Sequence, residues 1–115
     1  MTVTIYHNPR CTKSRQTLAL LQENGVEPTI IEYLKNPPSK NQLKKILAQL
    51  GMEPRDLMRK KEKAYKDNNL GESSLNKEQL LDAMVANPIL IERPIVVCGD
   101  KAALGRPPEK VLEIL

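Results

Sequence analysis

Apolar and polar positions along the chain change period several times, and each change marks an element. Val3, Ile5 and Tyr6 belong to a β-branched and aromatic run ending at His7, the composition of a buried strand. Asn8-Pro9-Arg10 then makes a turn. Ser14, Leu18 and Leu21 follow at i, i+4 and i+7, which predicts a helix over about 11–24 with Gly25 as the glycine just past its end. Residues 29–33 read as a second strand. A strand–helix–strand opening of this length favours a parallel pair joined by a right-handed crossover.

Pro37-Pro38 breaks the chain before a second helix. Ser39 with Gln42 fits a capping box, and Leu43, Ile46, Leu47 and Leu50 form the apolar stripe that Gly51 closes. A basic helical stretch is predicted over about 54–67. Asn76 with Gln79 opens a further helix, whose Leu80, Leu81, Met84 and Val85 face inward until Asn87-Pro88. Residues 95–98 and 102–104 then read as strands on either side of Gly99-Asp100, a pair suited to a tight hairpin. Pro107-Pro108 introduces a last helix over 109–115, with proline in the first turn where its missing N–H is harmless.

The predicted order is β-α-β, three helical stretches, then β-β-α. Without the middle helices this is the thioredoxin-like arrangement, βαβ plus ββα. The expected fold is therefore α/β, with a four-stranded mixed sheet and a helical insertion at about 39–87. No internal repeat or low-complexity linker interrupts residues 1–115, so a single domain is expected.

Composition narrows the picture. Hydrophobic residues make up 40% of the 115, yet Phe and Trp are absent and Tyr occurs three times, so the core must be aliphatic. No apolar run approaches the roughly 20 residues needed to cross a bilayer. The first residues lack a basic segment followed by a long apolar stretch, and a cytoplasmic protein without a membrane partner is expected. The net charge of +4 suits a small anion as well as a nucleic acid. Long single-sign blocks are missing and the tyrosines are not interleaved with arginine or lysine, which argues against nucleic acid. With no heptad or long edge-strand signal, a monomer is expected.

Cys11 and Cys98 are the only cysteines and His7 the only histidine, with no CxxC and no metal-ligand spacing, so no metal site is predicted. Cys98 ends an apolar strand and reads as a small buried hydrophobe. Cys11 is different. It follows a strand and a tight turn, and so stands at a helix N-terminus, where unpaired N–H groups and the positive end of the dipole favour an anion. Arg10, Lys13 and Arg15 flank it, and Thr12 and Ser14 offer hydroxyls to the sulfur or to a bound oxyanion. Such surroundings favour thiolate, the attacking form.

Three segments carry a resemblance: Ile5-Tyr6-His7-Asn8-Pro9-Arg10-Cys11, the run from Asn87-Pro88 through Arg93-Pro94 to Val97, and Gly105-Arg106-Pro107-Pro108. Their order and spacing resemble the arsenate reductase (ArsC) family of the glutathione- and glutaredoxin-coupled type, which has a thioredoxin-like fold. The resemblance implies that Cys11 is the catalytic nucleophile and that Arg59, Arg93 and Arg106 hold the oxyanion. It also implies that His7 and Ser14 assist the thiol and that Pro94 is a cis-proline. By the same resemblance arsenate is the substrate, no cofactor is bound, and glutathione and glutaredoxin supply electrons. The residue types suit that task, since planar guanidinium forks bind tetrahedral oxyanions two-pronged and offset the repulsion between two anions.

Two other readings share these residues. One is a glutathione-linked thiol oxidoreductase with another substrate, because Thr12-Lys13 differs from the small residues that often follow the family's cysteine. The other is a regulator of the Spx type that contacts RNA polymerase. Such regulators usually carry CxxC, whereas this chain reads Cys11-Thr12-Lys13-Ser14.

Overall fold

The computed structural model describes residues 2–115 and contains two compact units. The first holds the described residues up to Asn36 together with Arg93–Leu115; the second is Pro37–Glu92.

In the first unit, strands β1 (Val3–His7), β2 (Thr29–Glu32), β3 (Ile95–Cys98) and β4 (Lys101–Leu104) form one sheet in the order β2-β1-β3-β4. β1 and β2 are parallel, with Ile5 opposite Ile30, and helix α1 (Thr12–Glu23) makes the crossover. β3 runs antiparallel to both β1 and β4, so the sheet is mixed as the element order implies. Alternation along the strands sends Val3, Ile5, Val96 and Cys98 to one face. There they meet Leu21, with Leu18 and Val26 beside it, and Val111 and Ile114 from the C-terminal segment. This aliphatic layer is what holds α1 on the sheet. Each fully buried leucine, isoleucine or valine contributes about 1.5–3 kcal/mol to it.

Register decides which loops become neighbours. Tyr6 pairs with Ile95, and Ile95 pairs with Leu104. The end of β1, the start of β3 and the end of β4 therefore lie at one end of the sheet. The β3–β4 hairpin lies at the other end, where Cys98 pairs with both Val3 and Lys101. Its turn is Gly99-Asp100, and Gly99 has φ of 62°, the left-handed conformation that a two-residue hairpin asks of its first residue.

The second unit contains α2 (Lys40–Leu50), α3 (Lys63–Asp67) and α4 (Lys77–Ala86). Both predicted capping boxes are present: Gln42 N–H donates to Ser39 Oγ at 3.2 Å, and Gln79 N–H donates to Asn76 Oδ1 at 2.9 Å. Leu43, Ile46 and Leu47 of α2, and Leu80, Leu81 and Met84 of α4, are buried. Lys40 and Lys44 bridge to Glu78 across the two helices, which pulls the Glu78 carboxyl down to about 2. These groups face solvent, so the network adds little stability.

Two expectations need correction. The stretch over 54–67 is not one helix but a 3₁₀ turn (Pro54–Leu57), an extended piece, and the short α3. Met58 leaves the helical path because it forms an antiparallel bridge with Ile91. Arg59 N–H donates to Leu90 O, and Glu92 N–H to Leu57 O, both at 2.7 Å. Buried Leu57 and Met58 are thus fixed by strand-like pairing, which helical periodicity cannot reveal. The last segment, Pro108–Ile114, is 3₁₀ rather than α. Replacing the α4 cap, Asn76→Ala, should lower stability by about 1 kcal/mol in urea unfolding monitored by circular dichroism.

Candidate active site

Cys11 is the N-cap of α1, with extended backbone (φ −92°, ψ 123°) and a half-buried side chain. Its N–H donates to Asn8 O at 3.0 Å, closing the turn, and its carbonyl accepts from Arg15 N–H at 3.0 Å, starting the helix. An N-cap usually offers an oxygen to the free N–H groups of the first turn. Here the side chain is a thiol, a weak acceptor, and it makes no capping bond in its present geometry. The thiolate is a far better acceptor. Burial by itself would push the Cys11 thiol up. The Ser14 N–H, the Arg93 guanidinium, the Lys13 N–H and the Arg106 guanidinium act against burial, and the result lies below the ordinary thiol value.

The cations that matter are therefore distant in sequence. Arg10, Lys13 and Arg15 are exposed, and the Lys13 contribution comes from its backbone. Arg15 splints the loop instead, donating to Pro9 O at 2.9 Å and to Thr12 Oγ1 at 3.3 Å. Arg93 lies two residues before β3 and Arg106 two residues after β4, so register brings them to the end of the sheet where Cys11 stands. The two loops are tied together: Gly105 N–H donates to Pro94 O at 3.0 Å, and Arg106 Nη1 to Arg93 O at 3.4 Å. The Arg93–Pro94 and Arg106–Pro107 bonds are both cis. Arg93 Nε lies buried without a protein acceptor.

Ser14 and His7 sit behind the thiol rather than on it. Ser14 is fully buried, and its Oγ lies 2.6 Å from His7 Nδ1 while accepting from Asn8 N–H at 3.0 Å. All groups are satisfied when the serine hydroxyl donates to an unprotonated Nδ1. The hydroxyl of Ser14 is thus spent on the strand-to-helix loop, and the same residue's backbone N–H is what serves Cys11. Burial pushes the His7 imidazole below its ordinary value of 6.5; the Glu32 carboxylate opposes this and Arg15 adds to it. Histidine in this place is a neutral brace.

Cys98 is paired with Val3, four residues along β1 from His7, or about 13 Å at strand rise. The opposite ends of the sheet separate the two thiols. Arg59 belongs to the second unit, where Nη1 pairs with Glu62 Oε1 at 2.6 Å. Among the described residues, no group of three or more His, Cys, Asp or Glu side chains is placed to hold a metal, and no helix is long and apolar enough to cross a membrane.

Sequence reasoning passed over Thr17 and gave Asn8 and Gly105 only as parts of a turn and of family motifs. Asn8 Oδ1 accepts from Arg10 N–H at 3.0 Å, the side-chain turn that positions Cys11. Gly105 is needed for close approach. A Cβ there would overlap Thr17 Oγ1 and come within 2.7 Å of Pro94 Cγ. A glycine between a strand and an Arg-Pro pair was the available signal, but its neighbour on α1 was not.

The arrangement defines a thioredoxin-like domain with one anion-stabilised cysteine at a helix N-terminus and two arginines beside it. The chain belongs to the ArsC family, whose model matches residues 6–114. It is 51% identical to an arsenate reductase of Haemophilus influenzae, with all of both chains covered. It is 59% identical to the uncharacterized protein YfgD of Escherichia coli, over 98% of this chain and 96% of that one. The solved structure of an arsenate reductase from Vibrio cholerae superimposes with a TM-score of 0.98 at 56% identity, covering 100% of this chain and 98% of the other.

Two outcomes follow from the electrostatics. Arg93→Ala and Arg106→Ala should each move the midpoint of Cys11 alkylation by iodoacetamide to higher pH, with the double variant moving it further. The His7 imidazole is held below its ordinary value in the folded chain. Between that depressed value and 6.5 the unfolded chain binds more protons, so the His7 contribution is complete above about pH 6.5 and is lost as pH falls. The urea midpoint should fall as pH drops below about 6.5, and His7→Gln should flatten that slope.

Proposed function

We propose that the protein is an arsenate reductase in which Cys11 attacks arsenate held by Arg93 and Arg106. The observation that carries this reading is Arg93, whose buried Nε lacks a protein acceptor while its guanidinium favours the Cys11 thiolate. Unsatisfied buried donors are uncommon, and a tetrahedral oxyanion supplies the acceptor this one needs. The relatives named arsenate reductase, matched over the whole of this chain, support the same substrate.

The chemistry runs in balanced steps. The Cys11 thiolate displaces one oxygen of arsenate, which departs as water after protonation, and an S–As bond forms with arsenic still As(V). The thiolate of glutathione then attacks the Cys11 sulfur. The S–As electron pair passes to arsenic, which leaves as arsenite, As(III), and a mixed disulfide forms between Cys11 and glutathione. Glutaredoxin takes the glutathione by thiol–disulfide exchange and restores Cys11. An external thiol is required because Cys98 sits at the far end of the sheet and cannot close a disulfide with Cys11. Arg59 is included as a third oxyanion ligand on its family motif. No bound cofactor takes part. A monomer acting in the cytoplasm, where glutathione is reduced, belongs to the same proposal.

In an assay with glutathione, glutaredoxin and arsenate, Cys11→Ser should have no turnover, and Cys98→Ser should retain it. Arg93→Lys should lose at least about tenfold in kcat/KM although charge is kept, because an ammonium cannot reproduce the two-pronged fork. Full turnover by Cys11→Ser would end the proposal.

A further inference from the structure

Thr17 lies one turn below the site and is completely buried, a polar side chain in an otherwise aliphatic layer. Its Oγ1 donates to the carbonyl of Lys13 at 2.8 Å. That carbonyl belongs to the same peptide group as the Ser14 N–H, the foremost of the groups that favour the Cys11 thiolate. A donor on the oxygen of an amide polarises its N–H, so hydrogen bonds in such a chain strengthen one another. The relay runs from the Thr17 hydroxyl through the Lys13–Ser14 peptide to the sulfur.

Thr17 also touches the other half of the site. Gly105 packs so closely on it that an added Cβ would overlap Thr17 Oγ1 and reach Cγ2 at 3.0 Å. Gly105 is bonded to Pro94 O and is followed by Arg106; Arg93 precedes Pro94. One side chain therefore contacts both the segment carrying the two arginines and the peptide whose N–H favours the thiolate.

We propose that Thr17 is a positioning residue for Cys11, its hydroxyl polarising the Lys13–Ser14 peptide and its seat on Gly105 setting the helix start against the Arg93–Pro94 and Gly105–Arg106 loops. This goes beyond arsenate chemistry but rests on Cys11 reacting as a thiolate. The charged groups bearing on Cys11 are Arg93 and Arg106 from the ends of β3 and β4; on its own loop and helix, Arg10, Lys13 and Arg15 are exposed; His7, from β1, is neutral and bonded to Ser14.

The test compares Thr17→Ala with Thr17→Ser, two small side chains that differ only in the hydroxyl, in the full-length chain. The pH profile of Cys11 alkylation by iodoacetamide is measured in each, in a Cys98→Ser background. Thr17→Ala should shift the midpoint upward by roughly 0.3–0.5 pH unit, and Thr17→Ser should restore most of the shift. A purely structural role would lower the urea midpoint of both variants and leave the alkylation profile in place. That result, or equal shifts in Ala and Ser, overturns the proposal. Thr17→Val serves as a second variant of unchanged shape, and its profile should follow Thr17→Ala; a wild-type profile in Thr17→Val likewise overturns it. Alkylation reports on the thiol whatever its substrate, so loss of arsenate turnover with an intact relay, or the reverse, separates this proposal from the one above.

Discussion

A negative charge on sulfur has to be stabilised inside a half-buried pocket, and the rest of the first unit is arranged around that requirement. The free N–H groups at the start of α1 and the guanidinium groups of Arg93 and Arg106 outweigh the burial that would keep Cys11 protonated. Neither contribution can be moved independently of the fold. The Ser14 and Lys13 N–H groups stand beside the sulfur because the backbone bonds of Cys11 to Asn8 and Arg15 close the loop and α1 is held down by Leu18 and Leu21. The arginines arrive because β3 and β4 begin and end where β1 ends. A one-residue slip of β3 along β1 would turn Val96 and Cys98 off the core face and displace Arg93 with them.

The same electrostatics connects acidity to substrate choice. A site that favours thiolate by surrounding it with donors also favours any anion that enters. For nucleophilic attack on an oxyanion this is useful twice, since both reactants are negative and the donors serve each in turn. His7 stays neutral and braces Ser14 from behind, so it adds no charge. Cys98 is separated from Cys11 by the length of β1, so the two thiols do not meet.

Much of the fold was legible in the chain because it is written in local signals. The two capping boxes, the Gly99-Asp100 turn and the strand at Val3–His7 each depend on residues within a few positions of one another. The segment over 54–67 was misread because Met58 answers to Ile91, more than thirty residues away, and not to a helical neighbour. The site divides along the same line. Cys11 could be recognised from its strand–turn–helix setting. The cations beside it were reached by resemblance alone: proximity in sequence pointed to Arg10, Lys13 and Arg15, whereas the family motifs named Arg93 and Arg106, which register brings to that end of the sheet. The hydroxyl of Ser14 was expected at the sulfur, but it is engaged by His7 and Asn8. Thr17 carried no signal of its own, since its importance is a contact with Gly105 from the far end of the chain.

Thiolate absorbance near 240 nm, recorded against pH as the difference between the protein and its Cys11→Ser variant, measures the central claim directly when repeated with arsenate. A thiolate band should already be present near neutral pH, with a midpoint below that of an ordinary cysteine. Arsenate should remove the band as the S–As bond forms. A band that develops only in the range of a free thiol, and that arsenate leaves unchanged, would contradict that claim.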